Sequence, residues 1–101
     1  MTSADTLNYA GRDSVFVIMA YDFAEERVQK ALKIGRKYLK WVQNSLFEGD
    51  LTVAKFEKLK AELRSIMDEK EDSVKFYILR DKKYVEMEYL GVVKEEDVFF
   101  L

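Results

Sequence analysis

The stretch SVFVIMAYDFAEERVQKALK, residues 14–33, decides how the chain folds. Its first part is an apolar, partly β-branched run, residues 15–21, which predicts a central strand buried on both faces. The run ends in a single carboxylate, Asp22, and a charged segment follows at once. An acid in this position either caps the helix that follows or offers an oxygen ligand to a metal ion.

The charged segment has the pattern of an amphipathic helix from Ala24 to about Tyr38. Three lysines, Lys30, Lys33 and Lys37, project from the side opposite its apolar residues. Those apolar residues recur at helical spacing and are Val28, Ala31, Leu32, Gly35 and Leu39. The segment therefore predicts a helix with one face toward a core and a basic face toward solvent.

The remaining sequence predicts two hairpin-forming regions and a second helix. LKWVQNSLFEGDL, residues 39–51, is typical of two short strands joined by a tight turn near Asn44. Thr52 suits the N-cap of a helix. The core face of that helix is Val53, Phe56, Leu59, Leu63, Ile66 and Met67. Residues 72–91 alternate apolar and polar side chains twice, which predicts two more strands around a turn at residues 80–83.

The order strand, helix, strand, strand, helix, strand predicts an α+β fold of the ferredoxin-like βαββαβ type, with an additional C-terminal strand. Both helices of that fold lie on one face of an antiparallel sheet. Too few residues are left to cover the other face, so we expect a homodimer with sheets facing each other, in which residues 84–90 pair with the second chain. Residues 1–13 are interpreted as a flexible extension, 14–91 as the domain and 92–101 as a docking tail.

Composition limits the chemistry. The chain has 101 residues, 49% of them hydrophobic and 36% charged, which suits one soluble globular domain. It contains no His and no Cys, so an imidazole base, a thiolate nucleophile and an ordinary zinc site are excluded. No apolar run approaches the roughly 20 residues that span a bilayer, and no signal peptide is seen, so we expect a cytoplasmic protein without membrane contact.

Asp22 fits two roles on sequence grounds. Glu25 stands three residues after it, as in a capping box, and in a single chain a helix cap is the more common role. One carboxylate cannot hold Mg²⁺, which prefers six oxygen ligands and keeps several waters. A two-fold axis near the strand end would bring two copies of Asp22 together and make a metal site. Ser45 is rejected as a nucleophile because no base lies beside it in the sequence.

Two surfaces are candidates for binding partners. Arg27, Lys30, Lys33 and Lys37 belong to a segment, residues 27–40, in which every charged residue is basic. A solvated helix face is the alternative, but the lack of interleaved acids favours contact with phosphates, which would position a duplex without reading its bases. The chain ends in four apolar residues that follow three acids, which favours docking on the dimer itself or on a basic partner. These four residues are Val98, Phe99, Phe100 and Leu101.

Three segments together resemble one protein family: the strand ending in AYDF, the hairpin WVQNSLFEGDL, and EDSVKFYILRDKKY. In this order and spacing they are similar to the Cas-two family of CRISPR-associated proteins, from Val15 to about Leu90. The resemblance implies small ferredoxin-like dimers that bridge the Cas-one integrase and help to position spacer DNA. It also implies a metal-dependent endonuclease acting on RNA or DNA, with Mg²⁺ or Mn²⁺ held by the strand-end aspartate, here Asp22. The family often has two or more arginines early in the first helix, whereas this chain has only Arg27 there.

The sequence therefore predicts a CRISPR adaptation protein with Mg²⁺-dependent endonuclease activity at the paired Asp22. A stand-alone toxin-type endoribonuclease of the same fold is the first alternative. A regulatory dimer that binds no nucleic acid is the second.

Overall fold

The computed structural model describes residues 12–92, which form four strands and two long helices. In chain order these are β1 (Ser14–Asp22), α1 (Glu25–Tyr38), β2 (Lys40–Gln43), β3 (Leu46–Thr52), α2 (Val53–Ile66) and β4 (Ser73–Leu79). A single 3-10 turn, Lys82–Tyr84, follows β4. The predicted order of the first six elements is confirmed.

The strands form one antiparallel sheet in the order β2-β3-β1-β4, which is the ferredoxin-like arrangement. β1 lies between β3 and β4 and pairs with both along most of its length. At its C-terminal end, Asp22 is the register partner of Ser73, the first residue of β4. The predicted α+β fold class is confirmed, and Asp22 lies at the end of the central strand, as its sequence context predicted.

One face of the sheet carries the hydrophobic core. Alternate residues from Val15 to Phe23, which directly follows β1, point to this face because successive side chains of a strand point to opposite sides. They pack with Phe47 of β3 and with the apolar faces of the helices, including Ala31, Leu39, Phe56, Leu59 and Leu63. α1 lies so close to β3 that a Cβ at Gly35 would come within 2.7 Å of the Phe47 ring. We call this side the helix face.

The opposite side of the sheet, which we call the open face, carries the other β1 residues, among them Ile18, Ala20 and Asp22. Their register partners on β4 are Tyr77, Lys75 and Ser73, which therefore share that face. Tyr77 is 52% exposed. An open groove of about 680 Å³ adjoins this face, and its lining includes Ile18, Leu46 and Glu48 as well as Val85, Met87 and Tyr89.

Residues 85–92 form no strand within the single chain, and Tyr84 belongs to the 3-10 turn. The alternation that predicted a fifth strand is therefore not enough to form one on this chain's own sheet. A strand needs a neighbouring edge for its N–H and C=O groups. Pairing of residues 84–90 with a second chain stays a prediction.

Local signals predicted the turns and the second helix well. Thr52 caps α2 by accepting a hydrogen bond from Lys55 N–H at 3.1 Å. Asn44 has φ of 46°, the left-handed conformation that asparagine tolerates at a tight hairpin turn. Its carbonyl accepts hydrogen bonds from Tyr21 Oη and Trp41 Nε1, at 3.2 and 3.0 Å. Burial raises the pKa of the Tyr21 hydroxyl, and this side chain belongs to the core, as the predicted buried strand requires.

Candidate active site

Asp22 is an exposed residue between two core residues. Tyr21 and Phe23 are 7% and 8% exposed and point to the helix face, so the intervening side chain points to the open face. Its carboxylate makes no hydrogen bond or ion pair with any residue of the described range 12–92. Both carboxylate oxygens are therefore accessible to a ligand from solvent or from a second chain.

The prediction that Asp22 caps the first helix is wrong. The N-cap of α1 is Ala24, with φ −59° and ψ 151°, and no side chain caps the helix from that position. Asp22 lies two residues further back, and Glu25 is already inside the helix, so the two do not form a capping box. The carboxylate at this junction comes from the far end of the domain instead.

That carboxylate is Asp72, which stands directly before β4 and whose side chain is fully buried. It accepts four hydrogen bonds: from Ala24 N–H at 2.8 Å, from Asp68 N–H at 2.8 Å, and from Nε and Nη2 of Arg27. The bonds from Arg27 and the two backbone donors hold the pKa of the Asp72 carboxyl well below its usual range. Sequence reasoning missed this residue because its partners Ala24 and Arg27 lie 48 and 45 positions away.

Arg27 was predicted to contact nucleic acid, and the structure places it in an ion pair. Its guanidinium bonds Asp72 and Glu71 and lies 3.4 Å from Glu26 Oε2, and its side chain is 18% exposed. The hydrogen bond with Asp72 raises the pKa of the Arg27 guanidinium above its already high usual value. The partners that the structure shows for its donors are these carboxylates, so Arg27 stabilises this junction, and its contact with nucleic acid stays a prediction.

The three lysines of α1 differ from one another. Lys30 and Lys33 are exposed and make no ion pair with residues 12–92. Lys37 bonds Glu62 of α2, which also accepts a hydrogen bond from the Tyr38 hydroxyl. The bond with Lys37, together with that from Tyr38, lowers the pKa of Glu62. The basic surface predicted from the sequence is thus present at Lys30 and Lys33, whereas Lys37 joins the two helices.

One chain does not supply a complete metal site within residues 12–92. No group of three or more carboxylate, imidazole or thiolate side chains comes together there in a way that could hold an ion. Asp22 lies next to Ser73 and, two register pairs away on the same open face, Lys75. A hard divalent cation would therefore need further oxygen ligands from water and from another chain.

The predictions for the two ends of the chain fall outside the residues that the structure describes. Val98, Phe99, Phe100 and Leu101 lie outside the described residues, as does the extension before residue 12. Among the residues that are described, no helix is long and apolar enough to cross a membrane.

Comparison with known proteins gives a consistent result. Residues 15–87 match the family described as CRISPR associated protein Cas2. The chain is 58% identical over 85 residues to a CRISPR-associated endoribonuclease Cas2 of Thermotoga maritima, covering 84% of this chain and 98% of the relative. It is 51% identical to the protein of the same name from Dictyoglomus turgidum, over 81% of this chain and 94% of the relative.

Solved structures agree with the sequence comparison. A crystal structure described as cas2 superposes with a TM-score of 0.75 at 38% identity, covering 81% of this chain and 92% of the other. Streptococcus pyogenes Cas2 superposes with a TM-score of 0.66 at 36% identity, covering 75% and 99%. The chain therefore belongs to the Cas2 family, the Cas-two family that its sequence resembles.

Proposed function

We propose that this Cas2-family chain works as a homodimeric, metal-dependent endoribonuclease in which the two copies of Asp22 hold the cation. The observation that carries the proposal is the position of Asp22. Its carboxylate is exposed, has no partner among residues 12–92, and lies on the face of the sheet that the helices leave uncovered. RNA is the proposed substrate because the relatives at 58% and 51% identity carry the name endoribonuclease.

The exposed apolar side chains of the open face support the proposal of a dimer. They are side chains that a monomer has no reason to expose, including Tyr77 at 52% and Met87 at 66% exposed. If two such faces pack about a two-fold axis, each chain offers the same surface to the other. The groove of about 680 Å³ beside Ile18 and Leu46 offers room for side chains of the second chain.

The donor set suits a hard cation once two chains are counted. Two Asp22 carboxylates with water give the oxygen ligands that Mg²⁺ and Mn²⁺ prefer, whereas one carboxylate is too few. When bound, the cation supplies Lewis-acid stabilisation of the negative charge that builds up on the phosphodiester during hydrolysis. Lys75, on the same face two register pairs from Asp22, suits a contact to a neighbouring phosphate. In the hydrolysis the oxygen of water bonds to phosphorus, the P–O ester bond breaks, and a proton from the water ends on the leaving oxygen, so no redox partner is needed.

The experiment is cleavage of labelled single-stranded RNA by the purified dimer with Mg²⁺, comparing wild type, Asp22→Asn and Asp50→Asn. Asp50 is an exposed acid on the open face opposite Phe16, at the other end of β1, and is the matched control. We expect Asp22→Asn to lose cleavage by at least about 100-fold and Asp50→Asn to keep it, since an amide is a much poorer ligand for a hard cation than a carboxylate.

Thermal melting separates the metal role from a structural one. Because Asp22 caps nothing, Asp22→Asn and Asp22→Ala should both melt near the wild-type temperature. Cleavage by Asp22→Asn at the wild-type rate, in a sample free of contaminating ribonuclease, would rule out the assignment.

A second function is favoured by Lys30 and Lys33. We propose that the dimer also bridges the Cas-one integrase and positions spacer DNA, with these exposed lysines, which make no ion pair with residues 12–92, bound to the phosphates of the duplex backbone. Lys30→Glu and Lys33→Glu should each remove one bound phosphate and so reduce the slope of log K against log salt by about 0.9. Lys37→Glu is the informative comparison, since Lys37 already pairs with Glu62 and should change the slope less. Equal slopes in all proteins would leave the lysines as an ordinary solvated surface.

A further inference from the structure

The Ala24 N–H has two carboxylates that are chemically suited to bind it. Aspartate side chains commonly accept a hydrogen bond from the backbone N–H two residues on, which forms an Asx turn. Asp22 stands two residues before Ala24, so this local bond is open to it by sequence. In the structure the Ala24 N–H donates instead to Asp72 Oδ1, at 2.8 Å.

Asp72 is well held in this position. Its side chain is completely buried, and its second oxygen is fixed by Asp68 N–H and by Arg27 Nε. Both oxygens of the buried carboxylate are thus held by donors from three separate places: the start of α1, the connection between α2 and β4, and the Arg27 side chain. A movement of Asp22 alone cannot displace an acceptor anchored in this way.

We propose that Asp72 is a positioning residue for Asp22, because by occupying the Ala24 N–H it prevents the local Asx turn and keeps the Asp22 carboxylate free on the open face. The proposal rests on the proposed function, in which Asp22 binds a divalent cation. It assigns the buried acid a role beyond stability: it decides whether the exposed acid is available as a ligand.

The test uses Mn²⁺ alone as the probe and measures its dissociation constant by electron paramagnetic resonance on the full chain. The Asp72→Ala variant removes the acceptor of the Ala24 N–H. If this variant does not fold, the double variant Asp72→Ala, Arg27→Leu is used, because it also removes the arginine charge that would be left without its partner. We expect Mn²⁺ affinity to fall about 10- to 100-fold, the range typical of residues that orient metal ligands. Leu59→Ala, a buried change in α2, is the control for general destabilisation and should keep the affinity.

Rescue distinguishes positioning from simple loosening. Ala24→Pro removes the N–H itself, and the φ of −59° at this residue suits proline. Added to the Asp72 variant, it should restore Mn²⁺ affinity toward the wild-type value, because the Asx turn can no longer form. Unchanged affinity in the Asp72 variants, or no recovery with Ala24→Pro, would overturn the inference.

Failure of the proposed function gives a different result. If the wild-type dimer does not bind Mn²⁺, the metal assignment of Asp22 is wrong whatever Asp72 does. The competition for the N–H is then measured without metal, from the hydrogen-exchange rate of the Ala24 amide. We expect Asp22→Ala to speed this exchange in the Asp72 variants, because it removes the acceptor of the Asx turn, and to leave it unchanged when Asp72 is present. An exchange rate that Asp22→Ala does not alter in the Asp72 variants would overturn the positioning role too.

Discussion

The two faces of one sheet differ in how completely this chain satisfies them. On the helix face, Val17, Met19 and Phe47 are fully buried, and the acid on that side, Asp72, has both oxygens held by hydrogen bonds. On the open face Tyr77 is half-exposed, and the acid on that side, Asp22, has no partner among residues 12–92. Two aspartates close to the same strand end thus have different environments. The buried one, Asp72, stabilises the fold, and the exposed one, Asp22, is left accessible.

Within residues 12–92, the helix face is therefore covered by the chain's own helices, and the open face is not. Substitutions on the helix face should change the free energy of unfolding, whereas those on the open face should change association and chemistry. We therefore expect substitutions at the centre of the helix face to lower the free energy of unfolding most, and substitutions on the open face to lower it least.

Phe47→Ala should be the most damaging. The ring is fully buried and packs against Tyr21, with centroids 5.7 Å apart, and against Gly35. Truncating a buried phenylalanine costs about 3–5 kcal/mol, because apolar burial is reduced and a cavity is left behind. Urea unfolding at fixed protein concentration measures it. A loss below about 1 kcal/mol would mean that the ring contributes little to the packing of the helix face.

Gly35→Ala should destabilise by about 1–3 kcal/mol, because a methyl group at this position overlaps the Phe47 ring and overpacks the core. The cost should be partly relieved by combining it with Phe47→Leu, which removes the ring atoms in the way. Full additivity of the two changes in unfolding free energy would contradict the contact, since residues that touch are expected to couple.

Stability should depend on the ionisation of Asp72 at acid pH. The folded-state pKa of this carboxyl is lowered, chiefly by its bonds to Arg27, so its contribution is complete above its unfolded pKa of about 4 and is lost as the pH falls below that. At pH 6 the wild type should therefore have a higher melting temperature than the double variant Asp72→Ala, Arg27→Leu. The gap in melting temperature should narrow as the pH is lowered to about 3 and beyond. A gap independent of pH would show that the carboxylate is not the origin of the difference.

Tyr77→Lys should have the smallest effect on the folded subunit, within about 0.5 kcal/mol, because it is a surface change in one chain. On the open face of a dimer, however, it places a charge in an apolar contact and should raise the dimer dissociation constant at least about tenfold. Sedimentation across a concentration series measures this. Lys33→Glu, an exposed change on α1, is the control and should leave the dimer intact.

Prediction from sequence succeeded where the decisive contacts are local. Thr52 and the Lys55 N–H it binds are three residues apart, and the predicted cap of α2 is confirmed. The strand that ends at Asp22 and the helix that follows are also confirmed, since apolar periodicity reports directly on which residues are buried. The same reasoning found the half-buried and buried residues of α2 that face the core.

It failed where a distant residue competes for a local group. Asp22 followed by Glu25 has the pattern of a capping box, but Asp72 takes the N–H of Ala24 from 48 positions away. The ion pair between Arg27 and Asp72 was missed as well, because nothing in the segment around Arg27 indicates a buried acid partner; contact of Arg27 with nucleic acid stays a prediction. For residues 84–90 the outcome is still a prediction, because a strand needs an edge to pair with and a single sequence does not say which chain provides it.

The position of a tryptophan at the hairpin turn allows fluorescence to report on this part of the sheet. Trp41 is the only tryptophan, and its indole N–H is bound to the Asn44 carbonyl at the turn between β2 and β3. Because β2 is the edge strand farthest from β4, its emission will report on detachment of that hairpin, while circular dichroism reports chiefly on the two helices. Coincident unfolding curves from the two signals would show that the sheet edge and the helical layer melt as one cooperative unit.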